Sequence, residues 1–156
     1  MPKIRVISLY QPYATLVVLG EKKFETRSWD TNCRGPLLIH ATVGFPKWAR
    51  EACYQEPFKS VLGQYGYNAL NLPKGQIIGQ VELVNTVRSD LWIAGRMEGE
   101  GEDADIEAEW MNEFQFGDYT GGRFAWELTN PVRFAEPIPA KGSQGFWSYE
   151  LPTLIA

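Results

Sequence analysis

Histidine is almost missing from these 156 residues, with His40 alone, and cysteine nearly so, with Cys33 and Cys53. One imidazole and two thiols, at neither metal-ligand nor redox-motif spacing, exclude a zinc site and a thioredoxin-like centre. Both cysteines read as reduced packing residues of a cytoplasmic protein. No run approaches the 18 apolar residues a membrane helix needs, so no membrane association is expected. The start, Met1-Pro2-Lys3-Ile4-Arg5-Val6, lacks the apolar centre of a secretion signal. The one glycine-rich element, Gly121-Gly122, fits neither a phosphate loop nor a dinucleotide fingerprint. There is no G-x-S-x-G elbow, and the single histidine lies in an apolar run, so a hydrolytic Ser/His/Asp triad is not expected.

What is present suffices for one core: 44% hydrophobic and 13% aromatic residues in a length that one domain, 1–156, accommodates. The formal net charge of −4 argues against bulk attraction to nucleic acid, but it hides an asymmetry. Glu98, Glu100, Glu102, Asp103, Asp105, Glu107, Glu109 and Glu113 occupy a stretch without Lys or Arg, and the rest of the chain sums to +4. Residues 1–60 hold nine Lys or Arg against five acids. The acidic stretch reads as a solvated insertion around 95–120, with a protein-partner contact as its other possible use.

Periodicity assigns the elements. Lys3 to Leu9 reads as a strand, and Gln11-Pro12 opens a short helix that Gly20 closes. Lys23 to Ser28 alternates as a strand with Lys23, Glu25 and Arg27 on one side. Leu37 to Ala41 reads as a buried strand, and helices follow from Pro46 and over Pro57 to Tyr65. Ile77 to Val84 is the clearest strand, with Ile77, Val81 and Leu83 sharing a face and Gly79 marking a bulge or close packing. Ile106, Trp110 and Phe114 suggest a surface helix begun by Asp103 and Asp105. Phe124 to Thr129, Val132 to Ala135 and Gly145 to Leu151 supply further strands. Strands with little helix alternation predict an α+β domain, a small mixed β-barrel with several peripheral helices.

The segment Gly20-Glu21-Lys22-Lys23-Phe24-Glu25-Thr26-Arg27-Ser28-Trp29 stands out. A glycine turn delivers Lys, Glu and Arg at the start of a strand, with an indole just beyond. Such a set can bind a polar ligand edge or move a proton. It can equally be an exposed strand with cross-strand ion pairs worth about 0–1 kcal/mol each.

Three blocks resemble the ASCH domain family of the PUA-like superfamily. They are Ser8-Leu9-Tyr10-Gln11-Pro12-Tyr13-Ala14, then Gly20-x-Lys22-x-x-Glu25-x-Arg27-Ser28-Trp29, then Arg34-Gly35-Pro36-Leu37-Leu38-Ile39-His40-Ala41. The G-x-K-x-x-E-x-R signature is met at all four fixed positions. A fourth block, Pro137-Ile138-Pro139-Ala140-Lys141-Gly142-Ser143-Gln144-Gly145-Phe146-Trp147, looks like the closing segment of the longer members. The resemblance implies a PUA-like barrel with a charged, aromatic-rimmed cleft that receives RNA or a modified nucleoside, without cofactor or metal.

On that reading Arg27 forks onto phosphate or a base acceptor, Lys22 offers a point charge or an amine of lowered pKa, and Glu25 accepts from an exocyclic amine. Tyr10, Trp29 and Trp147 are candidates for stacking on a splayed base, and filling the core is their alternative. Gln11, Gln144 and Ser143 can read a base edge or cap a turn. His40 is either a cleft residue or a hydrogen-bonded core histidine, and Arg34 either guards the cleft mouth or is solvated. Trp48, Trp110 and Trp126 sit on apolar periodic faces and read as structure. The family also implies a second function, amidohydrolysis of N4-acetylcytidine-like acylated nucleosides. There Lys22 would be base or nucleophile, Glu25 the proton shuttle, and Arg27 or backbone N–H groups the oxyanion donor. Those hydrolases carry Thr where this chain has Glu25.

Overall fold

β-branched side chains on alternate sides of Lys3–Leu9 form β1, and the Pro12 turn leads at once into α1 (Tyr13–Val18). The chain continues through β2 (Phe24–Arg27), β3 (Gly35–Ala41), α2 (Lys47–Ala52), α3 (Phe58–Gln64), β4 (Gln76–Arg88), α4 (Ser89–Glu98), β5 (Phe124–Pro139) and β6 (Phe146–Glu150). The computed structural model describes residues 3–98 and 111–150, and residues 111–116 are also helical. Of the expected surface helix, Ile106, Trp110, Asp103 and Asp105 lie outside the described residues. Leu151, expected to end the last strand, lies outside them too.

The architecture is α+β. Among the described residues six strands form one mixed sheet in the order β2-β5-β4-β3-β1-β6, in which only β1 and β3 run parallel. This ladder is not closed into the expected barrel, yet it coils strongly. Four strand spacings of about 4.8 Å would hold β2 some 19 Å from β1 in a flat sheet, whereas the Arg27 guanidinium donates to the Ser8 carbonyl at 3.2 Å. The coil brings the ends of the ladder together, and side chains bridge the remaining seam. Trp29 packs edge-on to both Trp126 and Phe146, at ring distances of 4.7 and 5.3 Å.

The core follows from the coil. Ile7, Val17, Ile39, Val81 and Trp126 fill the space between the sheet and α1. The other side of α1 packs through Leu16 against Phe58, Leu62 and Phe116. On the opposite sheet face, Val6, Leu38 and Ile77 meet Trp147 and Tyr149. β3 is therefore buried on both faces, which explains its nearly continuous apolar run.

Two expectations about the strands change. Ile77 does not share a face with Val81 and Leu83, because the register shifts between Ile77 and Gly79 and hands the inner face to Ile78. The two strands expected at 124–129 and 132–135 are one 16-residue strand, β5, which passes through Asn130 at φ 50°. The bulge at Gly79 is present, and it is also a close approach. A Cβ there would lie 2.6 Å from Val18 Cγ1 and closer still to the Val132 carbonyl oxygen. Among the described residues no helix is long and apolar enough to cross a membrane.

Candidate functional site

Gly20, at φ +78°, ends α1 in a conformation that L side chains rarely adopt. The turn is secured by Lys22 N–H donating back to Leu16 O at 3.0 Å, which leads Lys22 directly into β2. Strand alternation then puts Glu25 and Arg27 on one side. The Glu25 carboxylate lies between two cations, 3.8 Å from Lys22 Nζ and 3.7 Å from Arg27 Nη2. Lys22 is 1% exposed, Glu25 12% and Arg27 26%. A carboxylate and ammonium this deeply placed are tolerable only because they face one another and further partners. Lys22 Nζ donates to the Phe24 carbonyl, and Glu25 Oε1 accepts the Thr26 N–H at 2.9 Å.

These three groups line a cavity of about 980 Å³, at the upper end of the roughly 300–1,000 Å³ usual for small-molecule sites. It opens where β2, the β1–α1 turn, α2 and the 141–145 segment converge. Of the residues singled out from sequence, Tyr10, Lys22, Glu25, Arg27, Trp29, His40, Ser143 and Gln144 line it. Arg27 Nε is buried and has no hydrogen-bond partner among the described residues. An orphaned buried donor costs about 1–3 kcal/mol, which a ligand acceptor would recover.

Three singled-out residues lie elsewhere. Gln11 is fully buried, donating to Pro73 O at 2.7 Å and accepting the Thr15 N–H at 3.0 Å. Its amide serves the first turn of α1, where Pro12 supplies no side-chain cap. Arg34 is exposed and folds onto its own turn, donating to Thr31 O, Cys33 O and Thr86 Oγ1. Trp147 does not line the cavity. It packs edge-on against His40 at 5.4 Å, and its indole N–H donates to Ser8 Oγ at 3.0 Å.

Sequence reasoning missed other wall residues. Trp48, read as structure, is 57% exposed, lines the cavity, and stands edge-on to Tyr10 at 5.9 Å and tilted to Tyr13 at 6.0 Å. Its helical periodicity was real, but α2 is short and turns that indole out to the cavity. Trp126, by contrast, is fully buried, and Trp110 lies outside the described residues. Ser8 and Arg123 also line the cavity, and no local spacing in the sequence marks either.

His40 has a defined proton arrangement. Nε2 is 2.7 Å from Ala140 O, a carbonyl that can only accept, so Nε2 carries the hydrogen. Nδ1, 3.0 Å from Ser8 Oγ, is then the acceptor of the Ser8 hydroxyl. Burial lowers the His40 pKa below its ordinary value, partly offset by the Ala140 bond.

The acidic stretch is not uniformly solvated. Glu113 is buried and its carboxylate accepts the Lys23 and Phe24 N–H groups at the start of β2, with the Tyr119 hydroxyl beside it. Burial raises its pKa, with Lys22 acting the other way. The acids from Glu100 to Glu109 lie outside the described residues. Cys33 and Cys53 are free thiols, and burial pushes the pKa of Cys53 up to about 11.

Residues 7–138 match the model of the ASCH domain. Activating signal cointegrator 1 of Homo sapiens and that of Mus musculus are each 26% identical to this chain over 144 residues. That alignment takes in 92% of this chain and 22% of each relative, so the chain spans less than a quarter of their length. Among solved structures, ASCH from Zymomonas mobilis is 16% identical, with a TM-score of 0.46 over 86% of this chain and 71% of that one. A serine-to-alanine mutant of the same Zymomonas mobilis protein gives 18% and 0.47, over 86% and 72%.

Proposed function

Since the chain belongs to the ASCH domain family, we propose that its cavity binds a nucleobase, as a modified nucleoside or as one splayed residue of an RNA. The observation that carries this reading is the buried, unpartnered Nε of Arg27 in the same wall as Glu25 and Trp29. A base with an acceptor edge beside an exocyclic amine satisfies Arg27 as donor and Glu25 as acceptor. Trp29, Tyr10 and Trp48, which line the same cavity, are candidate stacking faces, worth about 1–3 kcal/mol per base. The Lys22 ammonium, 3.8 Å from Glu25 Oε1, helps to hold that carboxylate in place. The walls need neither metal nor cofactor for these contacts.

A calorimetric titration with cytidine, N4-acetylcytidine, adenosine and uridine tests this. An amine-bearing base should bind and uridine, which has no exocyclic amine, should bind weakest. Arg27→Ala should weaken the best ligand about 10- to 100-fold, the worth of a lost base-edge contact of roughly 1–3 kcal/mol. Equal affinity for all four, or an unchanged Arg27→Ala, refutes it.

The second reading, hydrolysis of an acylated nucleoside with Lys22 as base, has less support. Its Nζ is turned onto the Phe24 carbonyl and the Glu25 carboxylate, both acceptors, so it is placed to donate rather than to take a proton. A partner-binding role for the acidic stretch has no support from Glu113, whose carboxylate is spent inside the fold.

A further inference from the structure

Parallel, in-register pairing of β1 with β3 sets Ser8 opposite His40, and both side chains line the cavity. The three hydrogen bonds around this pair all point one way. Trp147 Nε1–H donates to Ser8 Oγ at 3.0 Å, Ser8 Oγ–H to His40 Nδ1 at 3.0 Å, and His40 Nε2–H to Ala140 O at 2.7 Å. A serine hydroxyl aimed at a neutral imidazole nitrogen, whose other nitrogen is held by a fixed acceptor, is the arrangement of an activated nucleophile and its base. The carbonyl of Ala140 stands where a carboxylate or amide oxygen usually orients the ring. Ser8 is half-buried and is one of the residues that line the cavity. The Arg27 guanidinium is bound to the carbonyl of Ser8 itself, with its Nε still unpartnered.

The closing segment is built around the pair. A Cβ on Gly142 would lie 2.7 Å from Ser8 Oγ and 2.5 Å from His40 Cε1. Only a glycine lets this segment cross there.

We propose that Ser8 is an acyl-accepting nucleophile and His40 its general base, giving the cavity a hydrolytic activity toward ester or N-acyl groups. In the first half, Ser8 Oγ attacks the acyl carbon while its proton passes to His40 Nδ1, and the carbonyl electron pair becomes an oxyanion. Collapse re-forms the carbonyl and breaks the bond to the alcohol or amine, which leaves with the proton from Nδ1. In the second half, water attacks the acyl-Ser8 ester, gives a proton to Nδ1, and the acid departs as that proton returns to Ser8. The net change is acyl compound plus water to acid plus alcohol or amine. This uses the cavity of the binding reading but does not need the ligand to be a nucleoside.

The probe is a fluorophosphonate, read by intact mass and by the modified peptide. The expected result is one adduct on Ser8, with fluoride released, absent in Ser8→Ala. In His40→Gln the labelling rate should fall at least about 100-fold, the lower bound for a general base. Circular dichroism confirms that each variant is folded. Where His40→Gln does not fold, Ser8→Cys replaces it, and the new thiol should be alkylated by iodoacetamide at least about tenfold faster than Cys33.

The proposal is overturned by a folded wild type that takes no adduct, or by an adduct on Ser143 instead of Ser8. It is overturned equally by unchanged labelling in His40→Gln, or by a new thiol no faster than Cys33. Labelling that fails while nucleoside affinity persists removes this proposal alone. Affinity that fails while Ser8 is labelled removes only the binding reading.

Discussion

A single imidazole makes one residue separable from all others by pH. His40 is held neutral between Ser8 and Ala140, and burial lowers its folded pKa below the ordinary 6.5. In the unfolded chain it keeps the ordinary value, so as pH falls through 6.5 the unfolded state takes up the proton first. Stability contributed by His40 is therefore complete above pH 6.5 and is lost as pH falls toward the lowered folded value. Glu113 runs oppositely, since its raised folded pKa makes the native state the tighter proton binder and stability declines as pH rises above 4.5. Comparison with a variant isolates the histidine. From about pH 7.5 to about pH 5.5, wild type should lose more unfolding free energy than His40→Gln, measured by urea denaturation. Parallel pH profiles would show that His40 titrates alike in both states.

Among the elements, the β4 bulge carries the heaviest constraint. Gly79 lets the β4 and β5 backbones and Val18 of α1 meet with no room for a methyl group, so Gly79→Ala must displace both β5 and α1. Overpacking of this kind costs about 1–3 kcal/mol, read as a lower urea midpoint with the m-value unchanged. A midpoint equal to wild type would mean that β5 and α1 both give way at no cost. The sequence announced this glycine, and it placed β1, α1, β3 and the signature strand within a few residues, because each has a period or a capping residue of its own. It could not show that the bulge turns Ile77 to the opposite core, since a register shift alters the face without altering the pattern. β5 looked like two strands because Asn130-Pro131 is turn chemistry, and only pairing with β4 carries the strand through. Glu113 looked solvated because its partners, the Lys23 and Phe24 amides, lie at the far end of the sequence. Separation along the chain likewise hid Ser8 as the neighbour of His40.

At the scale of the molecule, the coil of an unclosed sheet decides what kind of site this is. The seam between β2 and β1 gathers Lys22, Arg27, Arg123 and Lys141 around Glu25 and Asp118, so four cations and two carboxylates line the cavity. That local excess of two positive charges sits in a chain of net charge −4, too small a field to hold a polyanion along its length. Phosphate-driven binding announces itself through counterion release, with a slope of about −0.7 per phosphate for single strands. Raising salt fourfold, from about 50 to 200 mM, would then cost about 2.6-fold in affinity for each phosphate contacted. A nucleoside bound through Arg27, Glu25 and stacking should change less than about twofold over that range. A short single-stranded RNA presenting the same base should lose no more than one or two phosphates' worth. A fall beyond about 100-fold would require roughly five or more neutralised phosphates. The ligand would then be a backbone held outside the cavity, and the Arg27–Glu25 pair would be no more than a buried clasp between β2 and β1.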